Sequence, residues 1–291
     1  MTQSHVLVGA TAAPATLTIR RIGVQDLITA LRQGWADFAA MPSHAIFLCV
    51  IYPVVGIVIA QAILGYSTLE FLFPLAAGFA LIGPVAALGL YELSRRREAG
   101  LDTSATHALE VLRSPSIGAI AALAALLTVI FVIWLATAHA IYVANFGYAT
   151  PASVGQFVHD VLTTPAGWSL IVFGNVVGFV FAVIVLTISA VSFPLLLDRD
   201  VGAAVALVTS IRLVLANPGP MALWGLIVAG LLLLGSLPFF VGLAVVMPVL
   251  GHATWHLYRH AIDTGGIPHA DFKQPPQRHR SAADFPSALF R

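Results

Sequence analysis

Charge is scarce in this chain, and cysteine is nearly absent. Charged residues make up 9% of the 291 positions, whereas hydrophobic residues make up 59%. A soluble domain carries roughly 25% charged residues, so this chain cannot cover itself with a water-facing surface. The single cysteine, Cys49, excludes an intramolecular disulfide and a metal site built on several thiolates. The composition therefore indicates a membrane protein.

Lysine is also scarce, which excludes several chemistries. The only lysine, Lys273, lies near the C-terminus, so neither a Walker A phosphate loop nor a buried Schiff-base lysine is available. No basic stripe with interleaved aromatic residues is present, as nucleic-acid binding would need. We therefore expect no enzymatic activity, no cofactor, no nucleotide and no nucleic acid as partner.

The basic residues that are present can all be placed on one side of a membrane. Six apolar stretches divide the chain, and the fourteen Lys and Arg residues occur only before the first stretch and after the second, fourth and sixth. Basic residues stay on the cytoplasmic side during insertion. This distribution therefore predicts that both termini are cytoplasmic.

The six stretches predict an all-α, polytopic membrane bundle over residues 23–262. A helix needs about 20 apolar residues to cross the hydrocarbon core, and the spans should pair as three hairpins. A shallow re-entrant pair is the alternative for the last two. Residues 1–22 are expected to form a flexible arm, and residues 263–291 a mostly disordered cytoplasmic tail. The predicted spans cover roughly 44–64, 69–91, 117–141, 168–193, 219–236 and 238–258.

An amphipathic segment precedes each predicted hairpin, at about 24–41, 104–114 and 201–216. Each segment leads into a proline, which ends one helix and suits the first turn of the next. A second proline falls in the later helix of each pair. We interpret this as a threefold repeat of a cytoplasmic surface helix, a proline break and a hairpin. The first set of prolines is Pro42, Pro115 and Pro218, and the second set is Pro84, Pro194 and Pro248.

The apolar face of each surface helix is expected either to enter the headgroup region or to pack against the bundle. Asp102 or Thr103 should cap the second helix, and Asp200 should cap the third. The expected faces are Val24, Leu27, Ile28, Leu31, Trp35 and Phe38 in the first helix, Ala105, Ala108, Leu109 and Leu112 in the second, and Val201, Val205, Val208, Ile211 and Leu215 in the third.

Three histidines, His252, His256 and His260, recur every four residues at the end of the last predicted span. Histidines at this spacing can chelate zinc or another divalent metal. The favoured interpretation is an interfacial belt, with Trp255 and Tyr258 at the headgroup level. Metal or haem binding and a proton-linked role are the alternatives.

Two further polar residues lie in or beside the apolar stretches. Glu92 is three to five residues from Arg95, Arg96 and Arg97, so we expect an ion pair on one helix, with a proton or cation ligand as the alternative. Asn175 lies between two glycines and should form an interhelical hydrogen bond at a close helix contact. A polar group in a substrate pathway is the alternative for Asn175.

Three phrases resemble a bacterial family of predicted integral membrane proteins of unknown function. They are GPVAALGLYELSRR at 83–96, SFPLLLDRDVG at 192–202 and GHATWHLYR at 251–259. The resemblance covers roughly residues 20–262. It implies six spans in a bacterial inner membrane and no established activity. Some members carry a label of similarity to cytochrome oxidase subunit I, but besides the stripe at 252–260 only His139 lies well inside a predicted span.

The leading functional hypothesis is a non-enzymatic protein that supports or assembles other membrane components. Its partners would be the lipid bilayer and either other membrane proteins or further copies of itself. A small-solute transporter or channel that uses Glu92, Asn175 and the three histidines is the second hypothesis. Metal or haem binding through His252, His256 and His260 is the third.

Overall fold

The computed structural model describes residues 17–41, 83–148, 153–237 and 241–270. These residues form nine α-helices, one 3-10 helix and a two-stranded ribbon. The first predicted span, most of the second, Cys49 and Pro42 lie outside the described residues. The helices are α1 (Val24–Ala40), α2 (Leu88–Glu98), α3 (Ile117–Phe146), α4 (Val154–Thr163), α5 (Pro165–Ser189), α6 (Ser192–Asp198), α7 (Ala203–Ala216), α8 (Pro218–Ser236) and α9 (Leu243–Ala261); the 3-10 helix is Ala105–Arg113, and the strands are β1 (Thr18–Ile19) and β2 (Ile262–Asp263).

Three segments of the described chain are long and apolar enough to cross a membrane. They are Ile117–Phe146, Pro165–Asp198 and Pro218–Ser236, and they correspond to the third, fourth and fifth predicted spans. Pro165 and Pro218 lie in the first turn of their helices, where the missing N–H costs little. The predicted all-α architecture is therefore present in the described part of the chain.

The connection between α3 and α5 contains a helix of its own. The third predicted span ends at about residue 141, but α3 continues to Phe146 and α4 follows it. Gly147 ends α3 with a positive φ of 72°, which favours glycine. Ser153 caps α4 by accepting a hydrogen bond from the Gln156 backbone N–H at 3.1 Å. Gly147 thus ends α3 and Ser153 starts α4, so the glycines and prolines of this connection do not prevent a helix.

Helices α8 and α9 correspond to the last two predicted spans, and two glycines bring their ends together; of the two, only α8 is long and apolar enough to cross a membrane. A Cβ on Gly242 would lie 2.8 Å from the Cα of Gly235, so neither position has room for a side chain. Pro248 lies inside α9, as predicted. The second half of α9 is not lipid-facing, because Leu250 to Ala253 are buried in the chain.

The predicted surface helix 24–41 is present as α1, but its buried face is rotated. Asp37, which the pattern places on the polar side, is only 3% exposed, whereas Val24, Ile28 and Trp35 are exposed. The apolar face of this helix is wide, and the periodicity of the sequence does not say which part of it is buried against the other helices. The buried residues are Leu27, Ala30, Gly34, Asp37 and Phe38.

The second surface helix is a 3-10 helix rather than an α-helix. At three residues per turn, positions three apart stack on one face, so Ala108 and Val111 are buried. Leu109 and Leu112 then point outward, although the α-helical pattern grouped them with Ala108. The N-cap is Ser104 and not Asp102 or Thr103.

The third surface helix, α7, also turns the predicted apolar side outward. Val208 and Leu215 are exposed, and Gly202 rather than Asp200 is the N-cap. Small residues allow α7 to lie close to α5 and α6. The Ser210 hydroxyl of α7 donates to the Thr187 carbonyl of α5, and the Ser192 hydroxyl of α6 donates to the Ala206 carbonyl of α7. The buried face of α7 consists of Ala203, Ala206, Thr209, Ser210 and Leu213.

Both terminal segments are ordered where they meet, contrary to the predicted arm and tail boundaries. Strands β1 and β2 pair antiparallel, with Thr18 opposite Asp263 and Ile19 opposite Ile262. Asn217 accepts a hydrogen bond from the Ile22 backbone N–H at 3.0 Å and donates to the Arg20 carbonyl. The chain just before α1 is therefore fastened to the start of α8 and the end of α9.

The most extensive helix packing in the described chain joins α1 to α9, which run antiparallel. A Cβ on Gly34 would lie 2.6 Å from the backbone N of Ala253 and 2.7 Å from the carbonyl O of Val249. Phe38 packs near Val249. Since backbone atoms surround Gly34, no side-chain movement can make space there.

We therefore expect Gly34→Ala to separate α1 from α9 and to destabilise the protein by about 1–3 kcal/mol, as overpacked interiors do. Thermal unfolding in detergent measures the change. Gly174→Ala is the matched control, because Gly174 is also helical and a Cβ added there would have nothing within 4 Å. Equal unfolding midpoints for the two variants would contradict the close packing.

Candidate functional site

A buried carboxylate, Asp37, links α1 to α2 and α9. Asp37 accepts a hydrogen bond from the Ser94 hydroxyl at 2.6 Å and one from His256 Nε2 at 2.9 Å. Arg97 forms an ion pair with its second oxygen. Burying a carboxylate is costly unless it is paired and hydrogen-bonded, and these three partners meet that requirement. We call Asp37, Ser94, Arg97, His252 and His256 the Asp37 cluster.

The surroundings of Asp37 favour its ionised form. Burial alone would raise its pKa, but the hydrogen bonds from His256 and Ser94 and the charges of the two nearby imidazoles outweigh burial. The pKa of Asp37 is therefore held below its ordinary value of 3.8. Asp37 stays negative at neutral pH and keeps attracting the side chains of α2 and α9.

The Asp37 cluster contains Ser, His and Asp, but its geometry is not that of a nucleophile. Ser94 lies 2.7 Å from His252 Nδ1 and also donates to Asp37. A catalytic serine gives its proton to a histidine that the carboxylate orients, whereas here the hydroxyl bonds the carboxylate directly. Ser94 is also buried, and its hydroxyl is already bonded to this carboxylate. The arrangement is a chain of hydrogen bonds that holds helices together.

The three histidines of the stripe contact different partners along α1 and α2. His252 contacts Ser94, His256 contacts Asp37, and His260 Nε2 lies 3.1 Å from Gln33 Oε1. They are thus spread along the helix contact rather than directed to one point. Among the described residues, no group of three or more His, Cys, Asp or Glu side chains has the arrangement to hold a metal ion.

The interfacial belt predicted for Trp255 and Tyr258 is wrong, because both side chains are buried inside the protein. Trp255 Nε1 donates to Glu98 at 3.0 Å, and the Tyr258 hydroxyl donates to Asp198 at 2.7 Å. Their polar atoms have carboxylate partners, which explains how amphipathic rings can lie in the interior.

A second buried carboxylate, Asp198, lies at the end of α6. Besides Tyr258, it contacts Arg199 Nε at 3.0 Å and His269 Nδ1 at 2.7 Å. Its backbone carbonyl accepts from the Ala270 N–H at 2.8 Å. His269 and Ala270, which the sequence assigns to a disordered tail, are therefore both bonded to Asp198.

Glu92 forms the ion pair expected from the sequence. It is fully buried and makes two hydrogen bonds to the Arg95 guanidinium, at 2.7 and 2.8 Å. Because both carboxylate oxygens face the same arginine, the geometry is bidentate and specific. In this structure Glu92 is therefore paired with Arg95 rather than free to bind a proton or a cation.

Asn175 lies on the exposed side of α5, away from the other described helices. Its Nδ2 donates to the Ile171 carbonyl of its own helix at 2.7 Å, so the predicted interhelical bond is not formed within the described chain. Of the two flanking glycines, only Gly178 lies at a helix contact, where a Cβ would be 3.1 Å from Trp134.

A cavity opens beside the Asp37 cluster, between α1, α2 and α9. Its volume is about 290 Å³. Acidic and basic side chains line it together, so it presents no charge of one sign to a ligand. The lining residues are Gln33, Ala36, Asp37, Ser94, Arg97, Glu98 and His256.

Residues 72–198 match the family described as Predicted integral membrane protein (DUF2189). The resemblance to a membrane protein family of unknown function is confirmed. The match contains the phrase at 83–96 and the start of the phrase at 192–202, whereas the phrase at 251–259 lies beyond it. No curated protein and no solved structure matches the chain.

The family match includes Ser94, Arg97 and Asp198 but not Asp37 or α9. Each buried carboxylate cluster is thus built from residues inside and outside the matched segment. Sequence reasoning missed Asp37 and Asp198 as central residues, because each looked like a solvated charge beside an apolar stretch. The only signal was a shared interval. Gln33 and Asp37 are four residues apart on α1, and the histidines on α9 are also four residues apart.

We expect Asp37→Asn to destabilise the protein by about 2 kcal/mol, because it leaves Arg97 and His256 without their anionic partner. The folded pKa of Asp37 lies below the unfolded value, so its contribution is complete above about pH 4 and decreases as the pH falls through the folded pKa. The difference in unfolding midpoint between wild type and variant should therefore be constant from neutral pH down to mild acid and should narrow below pH 3.8.

Asp160→Asn serves as the control for this measurement, because Asp160 lies on α4 and its amide replacement can still accept from Gln156. This control should unfold with the wild type at every pH. If the difference in unfolding midpoint between wild type and Asp37→Asn stays the same in strong acid, the carboxylate charge is not what stabilises the cluster.

Proposed function

We propose that this protein is a non-enzymatic, six-span protein of a bacterial inner membrane, with cytoplasmic termini, that supports or assembles other membrane components. The observation that carries the proposal is the position of Asn175. This amide is exposed near the middle of α5, one of the segments long and apolar enough to cross a membrane.

An exposed amide in a membrane span calls for a partner. Asn175 Nδ2 bonds only within α5, and its Oδ1 has no partner among the described residues. Hydrocarbon offers no hydrogen bond to such a group, and polar side chains in spans commonly bond to a neighbouring helix. A transmembrane helix from another protein, or from a second copy, would satisfy Asn175.

The surface around Asn175 suits such a contact. A Cβ on the adjacent Gly174 would meet nothing within 4 Å, so a second helix has room to approach the backbone of α5 closely. Small residues at a span surface allow this approach. Large apolar side chains surround the site and can pack on a partner, and the exposed ones are Trp168, Val172, Phe173, Val176, Phe179, Val180 and Val183.

The internal pairing of the polar residues supports a structural rather than a catalytic role. Asp37, Glu92 and Asp198 are each bonded to cationic or hydroxyl partners of the same chain. Asp37 lines the cavity, but both of its oxygens are bonded within the chain, one to Ser94 and His256 and the other to Arg97. The bonds of Asp37 and Asp198 connect helices to one another.

A small-solute transporter is the second candidate, and the cavity beside the Asp37 cluster favours it. Transport would require the cavity to extend toward the spans. Its inner groups, Ser94 and Asp37, are bonded to each other at 2.6 Å, so this bond would have to break during each cycle. We therefore place transport second.

A photo-crosslinking residue at Val176 tests the partner hypothesis in native membranes. We expect one discrete crosslinked protein, and we expect Asn175→Val to reduce its yield several-fold while the unfolding midpoint stays within the error, because Asn175 makes no contact with another described helix. Leu226, which is exposed on α8, is the control position and should yield lipid adducts.

Two results would count against the partner hypothesis. Crosslinks from Val176 to residues 42–82 of the same chain would show that Asn175 is satisfied internally. Lipid adducts alone, unchanged by Asn175→Val, would show that the face has no protein partner.

Reporter fusions test the proposed topology. A fusion after Tyr148, between α3 and α4, should report the extracytoplasmic side, because that connection carries no Lys or Arg. Fusions after Asp200 and after Gly265 should report the cytoplasm. A cytoplasmic signal from the fusion after Tyr148 would overturn the arrangement of spans.

A further inference from the structure

The helices α1, 3-10 and α7 each carry large apolar side chains on the outside. Trp35 on α1 is 55% exposed, Leu112 on the 3-10 helix 69% and Leu215 on α7 73%. The buried faces include polar residues among the apolar ones, such as Asp37 on α1 and Thr209 and Ser210 on α7. A soluble protein would direct charged and polar residues to the outer face of such a helix.

An exposed arginine accompanies the outward apolar residues on each of these helices. Arg32 is three residues from Trp35, Arg212 is three residues from Leu215, and Arg113 is next to Leu112. Positions three or four apart share a helix face. α1 and α7 each thus present a positive charge and an apolar side chain on one outer face, whereas Leu112 and Arg113 are both exposed but lie on adjacent faces of the 3-10 helix.

These arginines make fewer contacts than the other described arginines. Arg32 and Arg212 have neither an ion pair nor a hydrogen bond to any described residue, and Arg113 has only a long ion pair, at 3.9 Å, with Glu110. The remaining described arginines bind carboxylates or backbone carbonyls of the chain: Arg20, Arg21, Arg95, Arg96, Arg97, Arg199 and Arg259.

The positions of these residues place them at the level of the lipid headgroups. Leu215 is three residues before Pro218, where α8 begins, and Arg113 is four residues before Ile117, where α3 begins. Both helices are long and apolar enough to span. The headgroup regions add about 5–8 Å on each side of the hydrocarbon core, so side chains this near to a span end meet them.

We propose that the outer faces of α1, the 3-10 helix and α7 are binding surfaces for acidic phospholipids. Each arginine binds a headgroup phosphate, and its apolar neighbour enters the upper acyl region. The lipid is acidic rather than zwitterionic because the carboxylates of these three helices already have partners in the chain: Asp26 accepts from the Gly23 N–H, Asp37 from Ser94 and Glu110 from Arg96. They are therefore not available to bind the amine of a zwitterionic headgroup.

Lipid titration of the full chain tests this proposal. The protein is purified in mild detergent and stripped of lipid, and the binding of phosphatidylglycerol and of phosphatidylcholine is counted by native mass spectrometry. Each arginine near an acidic surface contributes about 1 kcal/mol, which is about fivefold in affinity. Arg32→Gln and Arg212→Gln should each weaken phosphatidylglycerol binding about fivefold and leave phosphatidylcholine binding unchanged.

Arg20→Gln is the matched control, since Arg20 is also exposed but pairs with Asp263; it removes the same charge and should leave lipid binding unchanged. Arg32→Lys keeps the charge and should retain the preference, which separates a lost phosphate contact from a misfolded variant. Equal wild-type affinity for the two lipids, or the same loss in Arg20→Gln as in Arg32→Gln, would overturn the proposal.

Discussion

The buried charge of Asp37 constrains the described structure more than any other single feature. A carboxylate that is 3% exposed must have partners, and they come from α2 and α9, far from α1 in sequence. The contact at Gly34 brings the backbones of α1 and α9 close enough for these bonds. The first described helix and the last one are thereby held as a unit, to which the ribbon of β1 and β2 adds a second connection.

The same constraint explains why α1 and α7 have large apolar side chains on the outside. Once α1 directs Asp37 inward, its apolar residues Ile28 and Trp35 are left on the outer side. On α7, small and hydroxyl residues allow close packing against α5 and α6, which again leaves Val208 and Leu215 outside. In water this arrangement would be unfavourable, whereas at a lipid surface the outer residues have a suitable environment.

Much of the fold could be predicted from the residues, because long apolar runs and helix periodicity are local signals. The bounds of α1, α7 and α8 agree with the predictions to within two residues, and Pro218 begins α8 as expected. Which face of each helix is buried could not be predicted, since this depends on the neighbouring helices. The 3-10 geometry of 105–113 shows the same limit, because a change from 3.6 to three residues per turn moved Leu109 and Leu112 to the outside.

The candidate site was only partly visible in the sequence. The interval of four residues between His252, His256 and His260 marked α9 as unusual. The pairing of Glu92 with Arg95 was evident because the two residues are three positions apart on one helix. The central residues, Asp37 and Asp198, have partners up to 219 positions away, and no local pattern reports such distances. By itself, the sequence determined the membrane class and the places where helices begin, because hydropathy and prolines act over a few residues. Only the tertiary structure decided which charges are paired and which of the described arginines lack a partner, because that depends on which helices meet.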